Sequence, residues 1–265
     1  MCTLALWRDV SPLYPLVVVA NRDEYLGRAS EPPAPWTRPP GVVAGRDLVA
    51  GGTWLGCRTD GSGRVVGLLN RRPDSGRGTS GTGERSRGLL CIETLGAASV
   101  DDALGGLDAA EAARYGGFNL FVADLGRALV VDNGSGVRRV ALDRGLSVLT
   151  NLDVNDPRCP RLAGATRRFE ALTPLLASAT DAPALVPALA GVLASHEAGV
   201  TVNDTDDPAL AALGGPVPFS RICVHVDGYG TRSSSMIFVG RGGEVRWFHA
   251  DGPPCTTEFR EIAVR

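Results

Sequence analysis

The alternation of apolar and polar positions divides the chain into three stretches. Thr3 to Trp7 and the run Leu16, Val17, Val18, Val19, Ala20 open the first. The second run is short, continuous and β-branched, which predicts a strand buried on both faces. Between Glu31 and Pro40 five prolines fall in ten residues, a density that predicts a surface excursion rather than a central strand. Trp54 to Thr59 and Arg64 to Leu69 then flank Asp60-Gly61, the strongest hairpin signal in the sequence.

In the middle stretch, polar and Gly-rich residues Arg71 to Glu84 read as a loop and Ser86 to Thr94 as a helix. Ser99 with Asp102 makes a capping-box pattern, and Leu104, Leu107 and the alanines after them extend a helix to about Arg114. Phe118 to Ala123, Ala128 to Val131, Val137 to Leu142 and Leu146 to Leu149 read as a four-stranded meander. From Pro160 the period changes to three and four, through Leu162, Ala165, Phe169, Leu172 and Leu176, with Pro174 set to kink or end the helix. Asp181 before Pro183 starts another helix. Strands return at Ile222 to Val226, Ser234 to Val239 and Val245 to His249. Strands in hairpin order, then helices, then strands again imply antiparallel sheets with helices on their outer faces, a layered α+β sandwich. One domain over residues 1–265 is expected.

Composition removes several functions. The chain has 265 residues with a net charge of −2 and interspersed signs, so there is no electrostatic footprint for nucleic acid. It contains no lysine, which excludes Schiff-base chemistry, pyridoxal anchoring and Walker-type phosphate binding. No apolar run is long enough for a membrane span and the start lacks a signal-peptide pattern, so no integral membrane segment and a cytoplasmic location are expected. Six cysteines are scattered singly with no C-x-x-C and no Cys/His cluster at zinc spacing, which reads as small buried hydrophobes; neither a cofactor nor a metal is expected.

Among motifs, Gly76 to Gly81 matches G-x-G-x-x-G but does not directly follow a strand, and reads as a loop. His196, His225 and His249 have no neighbouring nucleophile and read as structural. Cys2 stands apart. Removal of Met1 would expose an α-amine on the residue that carries the thiol, placing a base beside a nucleophile. The amine's ordinary pKa of about 7.7 to 8 and the thiol's of about 8.5 make proton exchange between them facile. Asn21-Arg22-Asp23-Glu24 emerges at the end of a buried strand, where Asp23 could hold the ammonium of Cys2, and Arg22 could lower the thiol pKa or bind an acyl oxygen. Taken alone, Cys2 reads first as an edge-strand residue and Asn21 to Glu24 as a charged turn.

The joint order of several segments weighs against that plainer reading. Met-Cys-Thr at the start, Asn21 to Glu24, Gly51 to Gly56 (Gly-Gly-Thr-Trp-Leu-Gly), Asn70 after a strand, Ser86-Arg87-Gly88, Gly117 to Leu120 (Gly-Phe-Asn-Leu) and Tyr229 to Ser233 (Tyr-Gly-Thr-Arg-Ser) resemble the NRDE-motif, or transport-and-Golgi-organisation, family over essentially the whole chain. That family in turn resembles the cysteine N-terminal-nucleophile (Ntn) hydrolases, which include penicillin V acylase and conjugated bile salt hydrolase. The resemblance implies a four-layer αββα sandwich of two antiparallel sheets. It implies Cys2 as nucleophile, Asp23 as the carboxylate that binds its amine and Arg22 as a site arginine. By the same likeness Asn151 and Asn70 line an oxyanion hole and Arg232 is a distal arginine. The segment after Asn151, Leu-Asp-Val-Asn-Asp-Pro, departs from the family's wording.

Two functions follow as expectations. The first is a cysteine Ntn amidohydrolase acting on a small-molecule acyl amide at a carbon–nitrogen bond other than a peptide bond. The second is a non-catalytic carrier of haem or of a lipid or acyl-CoA ligand, since members of the family are linked to Golgi organisation and to haem or lipid handling. A redox-responsive Cys2 ranks last, because no resolving cysteine lies nearby in sequence.

Overall fold

The structure, a computed structural model, describes residues 2–72, 82–156, 159–198 and 220–264. The Gly76 to Gly81 motif lies outside the described residues. Among the described residues fourteen strands follow in order as β1 Thr3–Arg8, β2 Leu16–Tyr25, β3 Ser30–Pro35, β4 Val42–Asp47, β5 Leu55–Arg58, β6 Val65–Asn70, β7 Phe118–Ala123, β8 Ala128–Asp132, β9 Arg138–Ala141, β10 Gly145–Leu149, β11 His225–Val226, β12 Tyr229–Val239, β13 Val245–Ala250 and β14 Arg260–Ile262. The helices are α1 Arg87–Gly96, α2 Val100–Gly105, α3 Ala109–Ala112, α4 Pro160–Glu170, α5 Thr173–Ala177 and α6 Val186–Leu193, the last preceded by a 3₁₀ turn at Pro183–Leu185.

The strands form two antiparallel sheets, one ordered β10-β1-β2-β12-β13-β14 with β11 beside β12, the other β3-β4-β5-β6-β7-β8-β9. The period-2 alternation of each central strand supplies two cores at once. Leu4, Leu6, Leu16 and Val18 face the second sheet in an inter-sheet core with Leu55, Leu69, Phe121, Ile237 and Trp247. Their neighbours Ala5, Trp7, Val17 and Val19 face away, against Leu162, Phe169, Leu185, Leu189 and Leu193 of the α4–α6 layer. The outer face of the second sheet packs Val66, Leu120 and Val122 against Leu90, Leu95 and Leu104 of α1 and α2. The result is the expected αββα sandwich.

Several local expectations change. The proline-rich stretch is an edge strand: among the described residues β3 pairs with β4 alone, and its register shifts between Glu31 and Ala34, where missing N–H groups are tolerated. The helix drawn to Arg114 breaks at Gly105-Gly106 and restarts under an Asp108 cap. The meander ends at β9, since β10 crosses to pair with β1. Ile222 to Val226 contributes only the short β11. Pro174 sits in the first turn of α5 rather than ending a helix. Among the described residues no helix is long and apolar enough to cross a membrane.

Candidate active site

Cys2 precedes β1, an interior strand of the first sheet, and the registers on either side fix its neighbours. Thr3 pairs with Asn21 of β2, and Leu4 with Leu149 of β10. Continuing both registers by one and two steps puts residue 2 between Arg22 and Asn151. By strand alternation Cys2 shares the inter-sheet face with Leu4, whereas Thr3 faces the helices. Accordingly the half-buried Cys2 packs at the rim of the inter-sheet core. It lines a cavity of about 20 Å³ with Leu4, Ala20, Arg22, Trp54, Leu69 and Ser233 among its walls. That volume holds about one water molecule. Burial pushes the Cys2 thiol above its ordinary pKa, and nearby positive charge that includes Arg22 pulls it down. The sulfur lies 3.8 Å from the backbone carbonyl of Asp23.

The four residues Asn21 to Glu24 occupy the end of β2 rather than a turn, and alternation sends them to different tasks. Asn21 is buried on the helix face. Its amide donates to the carbonyls of Leu193 and Ile222 at 2.9 and 3.0 Å and accepts from the Ser234 hydroxyl at 2.6 Å. Arg22 lies on the inter-sheet face with its guanidinium carbon 4.0 Å from the Trp54 ring centroid and donates to Ser30 Oγ at 3.2 Å. Burial draws its pKa below the usual arginine value against the pull of Cys2 and two carboxylates; it stays cationic at neutral pH. Asp23 returns to the helix face, where its carboxylate meets Arg161 at 2.5 Å and accepts from Thr231 Oγ1 at 2.7 Å. The Tyr229 hydroxyl donates to its backbone carbonyl at 3.2 Å. Glu24 reaches the surface, 3.8 Å from Arg28.

Asn151 is buried just past β10, and its Nδ2 donates to the backbone carbonyl of Asn70 at 2.5 Å. Asn70 itself ends β6 with its side chain exposed. These two asparagines are therefore brought together, whereas Arg232 is set apart. It sits where β12 bulges between Thr231 and Ser233, with an ion pair to Asp251 at 3.7 Å, and like Asn70 and Asn151 it is not a wall of the Cys2 cavity.

Other residues of the shared segments prove to be supports. Asn119, from Gly117 to Leu120, is fully buried and donates to the carbonyls of Thr150 and Leu152, clamping the turn that carries Asn151. Gly52 and Gly88 touch: a Cβ at Gly52 would stand 2.1 Å from the Gly88 carbonyl carbon, and Thr53 N donates to Gly88 O at 3.0 Å. The segment bearing Trp54 is thereby fixed to the start of α1.

Arg161, Thr231 and Trp54 hold the sequence-identified residues in place, although the sequence alone does not mark them as site residues. For Arg161 the signal existed in part: an arginine at the apolar start of a helix. Thr231 had a signal in face alternation, being opposite Asp23. Among the other cysteines, Cys57 and Cys91 are buried and inert, the former pushed up to about 12 by burial.

Comparison with known proteins gives the family and the fold. The sequence model of the family Transport and Golgi organisation 2 matches residues 1–251. Relatives include the Transport and Golgi organization protein 2 homolog of Bos taurus, 31% identical with 92% of this chain and 91% of that protein covered. The Homo sapiens homolog is 29% identical at the same coverage. Among solved structures the chain is similar to a Caenorhabditis elegans N-acylethanolamine-hydrolyzing acid amidase ortholog, with a TM-score of 0.52, 12% identity, and 92% of this chain and 94% of that one covered. At that identity the likeness concerns the fold, which is that of an Ntn hydrolase.

Proposed function

Because the chain belongs to the Transport and Golgi organisation 2 family and carries an Ntn-hydrolase fold, we propose that it is an amidohydrolase that cleaves the carbon–nitrogen bond of a non-peptide N-acyl amide through Cys2. The whole of residues 1–265 acts as one such domain. The observation that carries this reading is the placement of Cys2 at the head of an interior strand, with Arg22 and Asn151 flanking it in register and Asp23 behind it.

Strand geometry gives the roles. The sulfur faces the inter-sheet cavity and the Asp23 carboxylate faces the helices, so the atom that can address both is the backbone nitrogen of residue 2. Once Met1 is removed, that nitrogen is a free amine. It accepts the thiol proton as sulfur attacks the acyl carbon. The resulting oxyanion takes an N–H from Asn151, whose other N–H is held by the Asn70 carbonyl, and one from the Asn70 side chain. The ammonium returns the proton to the leaving amine as the C–N bond breaks. Water then attacks the thioester, giving a proton to the same amine; the C–S bond breaks, the ammonium returns that proton to the leaving sulfur, and the carboxylic acid is released. Asp23, itself braced by Arg161 and Thr231, orients the amine. Arg22 attracts the thiolate, and Arg232 contacts the outer part of the substrate. An acyl group needs more room than one water, so the Arg22–Trp54 pair moves outward on binding.

The solved structure's name specifies an N-acylethanolamine, so N-acylethanolamines and N-acyl amino acids are the first probes. The intact mass is expected to lack Met1, the wild-type chain to turn over at least one probe, and Cys2→Ala to lose that turnover. Full turnover by Cys2→Ala, or a mature chain that keeps Met1, would overturn the mechanism. Saturable haem or acyl-CoA binding unaffected by Cys2→Ala, without hydrolysis of any probe, would replace it with a carrier.

A further inference from the structure

We propose that His196, Cys223, His225 and Cys255 form a tetrahedral zinc site. No two of these residues stand at zinc-motif spacing in sequence, which is why the histidines read as isolated, yet the fold gathers all four. Their ligand atoms lie within 4.8 Å of one another. Cys223 Sγ is 3.8 Å from Cys255 Sγ and 3.5 Å from His225 Nε2, and His225 Nε2 is 3.2 Å from Cys255 Sγ. His196 and His225 hold their ring centroids 5.1 Å apart. Zinc bonds of about 2.3 Å to sulfur and about 2.05 Å to nitrogen put the edges of a tetrahedron at about 3.8 Å between sulfurs and about 3.5 Å from sulfur to nitrogen. The three separations among Cys223, His225 and Cys255 match those edges to within a few tenths of an ångström, and His196, within 4.8 Å of them, would turn its ring inward to complete the fourth corner.

Ligand chemistry selects the metal. Two thiolates and two imidazoles converging on one centre suit a mononuclear tetrahedral ion, and the two thiolates neutralise a divalent charge. An iron–sulfur cluster with mixed ligation would place its cysteine pair and its histidine pair on separate irons, whereas here the His225 nitrogen lies 3.2 and 3.5 Å from the two sulfurs, close enough to share one ion with both. Four protein ligands also fill the coordination shell, the mark of a structural rather than a catalytic zinc. Binding releases the two thiol protons to solvent.

The ion would join three segments. His196 follows α6, Cys223 and His225 flank the start of β11, and Cys255 lies in the turn after β13. The backbone already draws the first two together, Cys223 N donating to Ser195 O at 3.0 Å. Between the ligands, Val224 N donates to Thr231 Oγ1, the same hydroxyl that donates to Asp23. Zinc would thus act as a positioning element two hydrogen bonds removed from Asp23, through Val224 N and the Thr231 hydroxyl, and its presence is independent of whether Cys2 is reactive.

The full-length protein, expressed in zinc-supplemented medium and gel-filtered, is assayed for metal by plasma mass spectrometry. The expected result is one zinc per chain, lost in Cys255→Ser and retained in Cys91→Ala, whose cysteine lies in α1 on the opposite layer. Replacement by cobalt should give the intense visible bands of a tetrahedral ion and a near-ultraviolet thiolate-to-metal band. A chelator should lower the Tm of the wild type and leave that of Cys255→Ser unchanged. If Cys255→Ser fails to fold, the wild-type cobalt spectrum decides. Wild-type protein with only background zinc and no thiolate–cobalt band overturns the proposal, as does a peptide map showing Cys223 and Cys255 joined as a disulfide.

Discussion

At the scale of single residues, the consequence of burying a polar group differs with its charge. Asp23 and Arg161 have almost no exposed side-chain surface, so each relies on the other for the interactions that water would supply. His249 is a neutral counterpart. It is buried in β13 with Nδ1 3.0 Å from Ser235 Oγ, and burial holds its pKa down at about 4. The unfolded histidine titrates near its ordinary value of about 6.5. Between these values the unfolded chain binds the proton and the folded chain does not, so the contribution is fully present above about pH 6.5 and is lost as pH falls towards about 4. The shift corresponds to about 3 kcal/mol at most. Urea unfolding of wild type and His249→Gln, followed from about pH 7 to about pH 4.5, should show the wild type losing stability more steeply. Two parallel curves would refute this assignment.

Elements carry the next level of argument, because several are fixed by one close approach. The loop ahead of β5 can hold Trp54 under Arg22 only because Gly52 lies against Gly88, where a Cβ would overlap backbone that has no rotamer to change. Gly52→Ala should therefore destabilise the fold by about 1–3 kcal/mol, and should disturb the environment of Trp54, read by its fluorescence. An unchanged midpoint in urea would mean that the contact relaxes freely. The same comparison separates what the sequence discloses from what it hides. The β2 run, the Asp60-Gly61 hairpin, the Ser99 cap and the period of α4 are local, so their patterns suffice. The partner of β10 is not local: a strand that alternates correctly fits either sheet, and only the packed molecule chooses β1. The prolines of β3 mislead because an edge strand tolerates them. In the candidate site, Cys2, Asp23 and Asn151 stand out through the shared order of motifs. Arg161 and the four Cys/His residues do not, since their meaning arises only when α4, α6 and the segment 220–225 fold back onto β12.

Over the whole molecule, the two helical layers are attached in unlike ways. The α1–α2 layer meets the second sheet through an apolar core. The α4–α6 layer has a comparable core and adds a row of buried polar ties at one end: Asn21 to Leu193 and Ile222, Arg161 to Asp23, and Thr231 to Val224. Hydrogen bonds of this kind contribute little net stability when made, but an unsatisfied buried group costs about 1–3 kcal/mol. Removing one tie therefore lowers the free energy of opening that layer more than it lowers that of the opposite one. Asn21→Ala strips the donors from the carbonyls of Leu193 and Ile222 and the acceptor from Ser234. Amide hydrogen exchange should quicken in α6 and in the backbone bonds of Cys223 to Ser195 and Thr231 to Val224. Protection in α1 and in β5 to β8 should hold. Equal acceleration on both layers would mean that the sandwich opens as one cooperative unit, and that the polar row at the end of β2 positions the site without independently fastening the helices above it.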